Sequence, residues 1–312
     1  MNSLYLAIAA VFPLAFMMFV GYVLTLKKVW EEPFTRQLNS ICFKVYFPFL
    51  IFYNIYQSDF YSLFSLKLIL FAVGSIITSF LLLVIIIPLI AKDNRDRGAI
   101  IQGMFRSNFI LFGIPIVHSL YGGENIGVVS ILIAFVVPMF NFLAIISLSI
   151  FSDKKQPIFE IIKKICKNPL IIGSVLGLIA VLLRVKFPVM LEDAIADIAH
   201  VTTPASLMVL GGSFKFNNLH KFKGFLTIAV VGKLVVIPGI FLSLAILLGF
   251  RGVELASLMA MLASPTAVSS FTMAQSMGAN DELAGQIVVM DSIFSVVTIF
   301  GWITLFSFQG LL

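Results

Sequence analysis

Three ionisable side chains stand inside long apolar runs: Asp291, between Met290 and Ser292, Lys233 and Arg106. A charge at the centre of a bilayer costs ~2.5–3.5 kcal/mol or more, so each marks a candidate functional position. Asp291 is suited to exchanging a proton, to binding Na⁺ as a coupling ion, or to a structural contact with Lys233. Arg106, two residues before Asn108, either draws an anion inward or snorkels towards a membrane face. Asp197 and His200 share a helix face, but two ligands do not make a metal site, and none is expected. No phosphate-binding glycine loop, zinc-ligand spacing or nucleophile elbow is found. Catalytic residues are therefore not assigned, and the chain is expected not to be an enzyme.

Prolines supply a second set of candidates. One run reads Arg106-Ser107-Asn108-Phe109-Ile110-Leu111-Phe112-Gly113-Ile114-Pro115, and another reads Ala263-Ser264-Pro265-Thr266-Ala267-Val268-Ser269-Ser270. A proline inside a helix removes a backbone hydrogen bond and clashes with the carbonyl one turn earlier. Two broken helices at matched positions would leave half-helix ends near the bilayer midplane, where N-terminal dipoles hold an anion and freed carbonyls hold a cation. The hydroxyls of Ser264, Thr266 and Ser269 are candidate substrate contacts in the second run.

These residues need a membrane to stand in, and the composition supplies one. Of 312 residues, 60 % are apolar and 12 % charged, and mean hydropathy is +1.07. Soluble chains carry about 25 % charge, which excludes a soluble domain. Ten apolar segments fall near 4–26, 38–57, 66–91, 98–121, 124–151, 169–184, 189–211, 222–249, 254–278 and 283–308. They are continuous rather than alternating, as spanning helices are and barrel strands are not. Lys44 and Pro48 weaken the second, and Asp193, Asp197, His200 and Pro204 the seventh.

The net charge of +6 is scattered between apolar runs, which argues against nucleic acid as a partner. With the N-terminus outside, the inner loops hold Lys27, Lys28, Arg36, Lys92, Arg95, Arg97, Lys154, Lys155, Lys163, Lys164, Lys167, Lys215, Lys221 and Lys223. Outside stand Lys67, Arg184, Lys186 and Arg251. The positive-inside rule then predicts a multi-pass protein of the cell membrane with both termini outside the cytoplasm. Met1-Asn2-Ser3 has no basic region, so no cleavable signal peptide is expected. Cys42 and Cys166 have neither metal nor redox spacing.

An internal repeat emerges from the prolines. Pro13 and Pro169, Pro48 and Pro204, and Gly21 and Gly177 are 156 apart; Pro88 and Pro238, Pro115 and Pro265, Gly74 and Gly224, and Asn141 and Asp291 are 150 apart. A six-residue deletion in the later half would reconcile the two offsets. Five helices per half force the second half to start from the opposite face, which is the inverted repeat of secondary transporters. The expected fold is an all-α integral membrane protein of ten transmembrane helices in two inverted five-helix repeats, 1–151 and 169–312, joined by a cytoplasmic loop 152–168.

Gly-Ile-Pro seven residues after Asn108, Lys-Asn-Pro-Leu at 167–170, Pro-Ala-Ser-Leu-Met-Val-Leu-Gly-Gly-Ser-Phe at 204–214 and Ala-Ser-Pro-Thr-Ala at 263–267 resemble the auxin efflux carrier family of permeases over essentially the whole chain. The resemblance implies that spans 4 and 9 cross at their broken centres. It also implies that spans 3–5 and 8–10 form a transport domain against a scaffold of spans 1, 2, 6 and 7. It assigns Asn108 to the substrate carboxylate and Pro115 and Pro265 to the crossover, with Gly113 in the same motif. The short central loop and the hydroxyl-rich ninth span depart from the plant pattern and point to malate, malonate or a similar small carboxylate rather than auxin itself.

The function expected is therefore a secondary transporter of small organic anions working by alternating access. No cofactor is expected apart from Na⁺ or H⁺ as a coupling ion. The partners are the carboxylate substrate and the lipid bilayer, with a homodimer left open. The alternatives are an ion-coupled symporter using Asp291, a ligand sensor that transports nothing, and a channel.

Overall fold

The computed structural model describes residues 3–58, 65–122, 126–152, 158–215 and 220–312. Lys154 and Lys155 of the charge count lie outside them. The described residues fold into helices, with no strand among them. In chain order these are α1 (Ser3–Leu26), α2 (Glu32–Tyr56), α3 (Leu66–Ile90), α4 (Asn94–Phe105), α5 (Phe109–Tyr121), α6 (Ile126–Ile150) and α7 (Ile158–Lys167). They continue as α8 (Pro169–Leu182), α9 (Val189–Ser213), α10 (Lys223–Leu247), α11 (Gly252–Ala263), α12 (Ser269–Met277) and α13 (Asp281–Phe308).

Among the described residues, seven stretches are long and apolar enough to cross a bilayer: α2, α3, α4 with α5, α6, α9, α10 and α13. Val11–Leu26, Pro169–Leu182 and Gly252–Ala263 are apolar but shorter. Large apolar side chains cover the outside, among them Phe12, Phe16 and Phe19 along α1 and the nearly bare Leu89 and Phe308. Lipid tails solvate such a surface and water does not.

Lys44, expected to interrupt the second span, sits in a π-helical turn, Cys42–Tyr46, within an otherwise continuous α2. A π turn inserts one extra residue, which absorbs the irregularity without ending the helix. The matching device in α10 is the π turn Gly232–Val236, which carries Lys233 inward to 1 % exposure. The connection expected as a loop over 152–168 is in part the helix α7, with Phe159 and Ile162 exposed beside Lys163, Lys164 and Lys167. Such a mixed face suits the membrane–water boundary.

Glycines set the closest approaches. A Cβ on Gly21 would lie 1.9 Å from Met208 O, and one on Gly211 would lie 1.8 Å from Met18 O, so α1 and α9 touch backbone to backbone. Gly173 and Gly177 do the same for α8, against Pro48 O and Phe52 O of α2. Small residues at these contacts are what permits tight packing where lipid leaves no hydrophobic drive between helices. Helices α1, α2, α8 and α9 thus pack on one another. Helices α3–α6 and α10–α13 form a second packed group, joined to the first chiefly through α1 with α13 and less closely through α6 with α8 and α2 with α12 and α6.

Three pairs of helix starts recur at a spacing different from that of the paired prolines. Glu32 and Val189 open α2 and α9, 157 apart; Leu66 and Lys223 open α3 and α10, also 157 apart; Asn94 and Gly252 open α4 and α11, 158 apart. Pro88 lies near the end of α3 while Pro238 lies in the middle of α10, so their separation of 150 relates unlike places.

Candidate functional site

Two breaks interrupt the second group of helices, between α4 and α5 and between α11 and α12. In the second, Pro265 forces Ser264 out of the helical region, to ψ 150°. In the first, Arg106 turns extended, with ψ 148°, ahead of Ser107 and Asn108, whose short polar side chains compete with helical hydrogen bonding. Pro115 does not make this break. It lies inside α5, exposed, and the carbonyl its ring displaces belongs to Leu111, beyond the break.

The breaks meet. The Asn108 backbone N–H donates to Pro265 O at 2.8 Å, and Ser107 Oγ donates to Ser264 O at 3.4 Å. Gln102 Nε2 donates to Ser270 O at 2.9 Å, tying the end of α4 to the start of α12. Four half-helix ends therefore converge: the carbonyl ends of α4 and α11, and the amide ends of α5 and α12.

Each end has an electrostatic companion. Lys233 Nζ donates to Leu262 O at 3.1 Å, a cation at the negative end of α11. Arg106, 2 % exposed, stands at the opposite pole, where Nη2 donates to Ser269 Oγ at 2.7 Å and to Asn141 Oδ1 at 2.8 Å, and Nη1 reaches Met273 Sδ. Burial excludes the snorkelling alternative. No carboxylate pairs with this guanidinium among the described residues, and its Nε and the amide nitrogen of Asn141 have no partner. A guanidinium beside helix amide ends, with donors unspent, is an environment short of negative charge.

A cavity of about 60 Å³ opens beside it. Arg106, Asn108, Asn141 and Ser269 furnish its polar wall; Phe47 and Ile51 of α2 and Phe140 of α6 furnish the apolar one, and Thr203 and Ser206 of α9 close it. It lies where α2 and α9 face the broken helices. Of the expected substrate contacts, Asn108 and Ser269 line it. Ser264 and Thr266 do not: Ser264 Oγ donates to Ala260 O, and Thr266 Oγ1 lies on Gly103 O and Asp291 Oδ2. Pro265 is buried in the crossing, and Gly113 gives room for the Phe109 ring and Val129.

Asp291 is fully buried behind the crossing. Thr266 meets its Oδ2 and its Oδ1 has no hydrogen-bond partner; of the alternatives for Asp291, the contact with Lys233 is not formed as an ion pair, and Lys233 donates to Leu262 O instead. Asn141 enters the site by its side chain, where the sequence marked it only as a repeat position. A lone amide in the apolar run Val136-Val137-Pro138-Met139-Phe140 was the available signal, because an unpaired amide in lipid is costly. The apolar wall carried no signal of its own among 32 phenylalanines.

A family model described as membrane transport protein matches residues 6–159 and matches again over residues 156–303. No curated protein matches the chain.

Proposed function

We propose, on the premise that the chain belongs to the membrane transport protein family of auxin efflux carrier-type permeases, that it carries small organic anions such as malate or malonate across the cell membrane by alternating access. The observation that carries this reading is Arg106: a buried guanidinium beside a cavity, at helix amide ends, with no acidic partner among the described residues. Leaving such a charge uncompensated costs several kcal/mol, and a carboxylate entering the cavity offsets that cost. Asn108, Asn141 and Ser269 complete the anion's hydrogen bonds. A cavity of about 60 Å³ has room for a few heavy atoms, which favours short carboxylates over an aromatic cargo.

The architecture behind this reading is ten spans in two inverted five-helix repeats. Its support is the recurrence of three successive helix starts 157 or 158 residues apart. Helices α1, α2, α8 and α9 are the scaffold, and α3–α6 with α10–α13 the moving part. The cavity sits on the boundary between them, where sliding changes the side to which it opens.

The test is uptake of labelled dicarboxylates into proteoliposomes. Arg106→Ala removes charge-assisted hydrogen bonds worth ~1.5–3 kcal/mol, so transport efficiency should drop about tenfold to a hundredfold. Asn108→Ala should raise KM. Uptake unchanged in both variants, at matched protein incorporation, would sink the site.

A second reading, coupling to H⁺, rests on Thr266. Its hydroxyl touches two acceptors, Gly103 O and Asp291 Oδ2, but has one hydrogen. With Asp291 ionised the proton of Thr266 points to Asp291; with Asp291 protonated the carboxyl donates to Thr266, which donates to Gly103 O at the end of α4. Protonation thus alters a bond at the crossing itself. Asp291→Asn should abolish acceleration of uptake by an imposed pH gradient, while substrate exchange at uniform pH persists. Indifference of the parent protein to pH gradients would eliminate this reading.

A further inference from the structure

Between α10 and α13 runs an open groove of about 540 Å³ that shares no lining residue with the crossing cavity. Leu226, Val231 and Val235 of α10 and Met290 and Phe294 of α13 form its walls. Thr227 and Thr298 also line it, but their hydroxyls are spent on Lys223 O and Phe294 O, so the wall offers a ligand little polarity. The remaining polar groups are the His220 imidazole and the Lys223 ammonium, which line the groove where α10 begins. Neither meets a carboxylate among the described residues, and the helix start adds amide groups that no side chain caps.

We propose that this groove binds an anionic phospholipid of the bilayer, with its phosphate at His220 and Lys223 and an acyl chain along α10 and α13. The bilayer brings lipid to any apolar groove on a spanning helix; the basic end is what distinguishes an anionic headgroup from a neutral one. Length agrees as well. From Lys223 to Val235 the helix rises about 18 Å, close to the ~15 Å that one leaflet of hydrocarbon offers an acyl chain. A soluble acidic peptide would find the charge but waste the apolar wall.

The inference needs only that the chain sits in a membrane, and its test reads binding rather than transport. The full-length protein in neutral detergent is mixed with phosphatidylglycerol or phosphatidylcholine of identical chains, and retained lipid is counted by native mass spectrometry. Phosphatidylglycerol should be retained at least about fivefold more tightly, the effect of one basic contact at a lipid surface. His220→Ala with Lys223→Ala should erase the preference, and Val231→Trp, which fills the groove, should lower retention of both lipids. These are surface positions, and unchanged melting temperatures in lipid-free detergent verify that the variants fold. Equal retention of the two lipids by the parent, a preference that survives the double substitution, or a dimer that loses its partner on Val231→Trp without any lipid bound would each overturn the proposal.

Discussion

At Arg106 the geometry matters as much as the charge. The planar fork reaches Ser269 and Asn141 with one nitrogen and Met273 with the other, and the single nitrogen of a lysine cannot occupy both positions. Arg106→Lys should therefore keep the positive charge yet raise KM for carboxylates about tenfold, the effect of one charge-assisted hydrogen bond, with a smaller change in maximal rate. Concentration-dependent uptake in proteoliposomes measures the split; an unchanged KM would mean that charge alone suffices. The sequence exposed Arg106 and Asn108 as neighbours in an apolar run, but not that the guanidinium points at Ser269, 163 residues away. Thr266 and Ser264 were equally eligible by type. Their hydroxyls are consumed by backbone carbonyls and by Asp291, a fact of side-chain direction that no spacing encodes.

Among the helices, the contact of α1 with α9 rests on two glycines. Gly211→Ala would force a methyl group into Met18 O, and separating two packed backbones costs about 1–3 kcal/mol or more, as overpacking does in general. Gly74 of α3 is the control: nothing lies within 4 Å of the Cβ position. Gly74→Ala should be neutral or stabilising by up to ~1 kcal/mol through helix propensity. Melting temperatures in detergent distinguish the two, and equal shifts would refute the close contact. Gly173 and Gly177, four residues apart on α8, make the same kind of close contact with α2. From sequence, Pro115 is misread as a helix break because proline is the loudest local signal. The break at Arg106-Ser107-Asn108 has no proline and is held open by its partner segment through Asn108 and Pro265.

For the molecule as a whole, orientation has a built-in reporter. Cys42 is buried and Cys166, on α7, is exposed. If the basic loops face the cytoplasm, a membrane-impermeant maleimide should label Cys166 in inverted vesicles and leave it untouched in intact cells. Labelling from outside would reverse the topology.

Sequence alone determined that this chain lives in a bilayer, that it is helical, and that its intramembrane polar residues gather around two interrupted segments. Those conclusions follow from composition and local backbone chemistry, which each stretch carries within itself. Only the tertiary structure decided which of those residues share a cavity. Arg106 and Ser269 are brought together by the crossing of two broken helices, as Asn141 is by the packing of α6, and Thr266 is turned away towards Asp291. Such pairings depend on crossing and rotation of helices 25 to 163 residues apart, which a chain read in order does not contain.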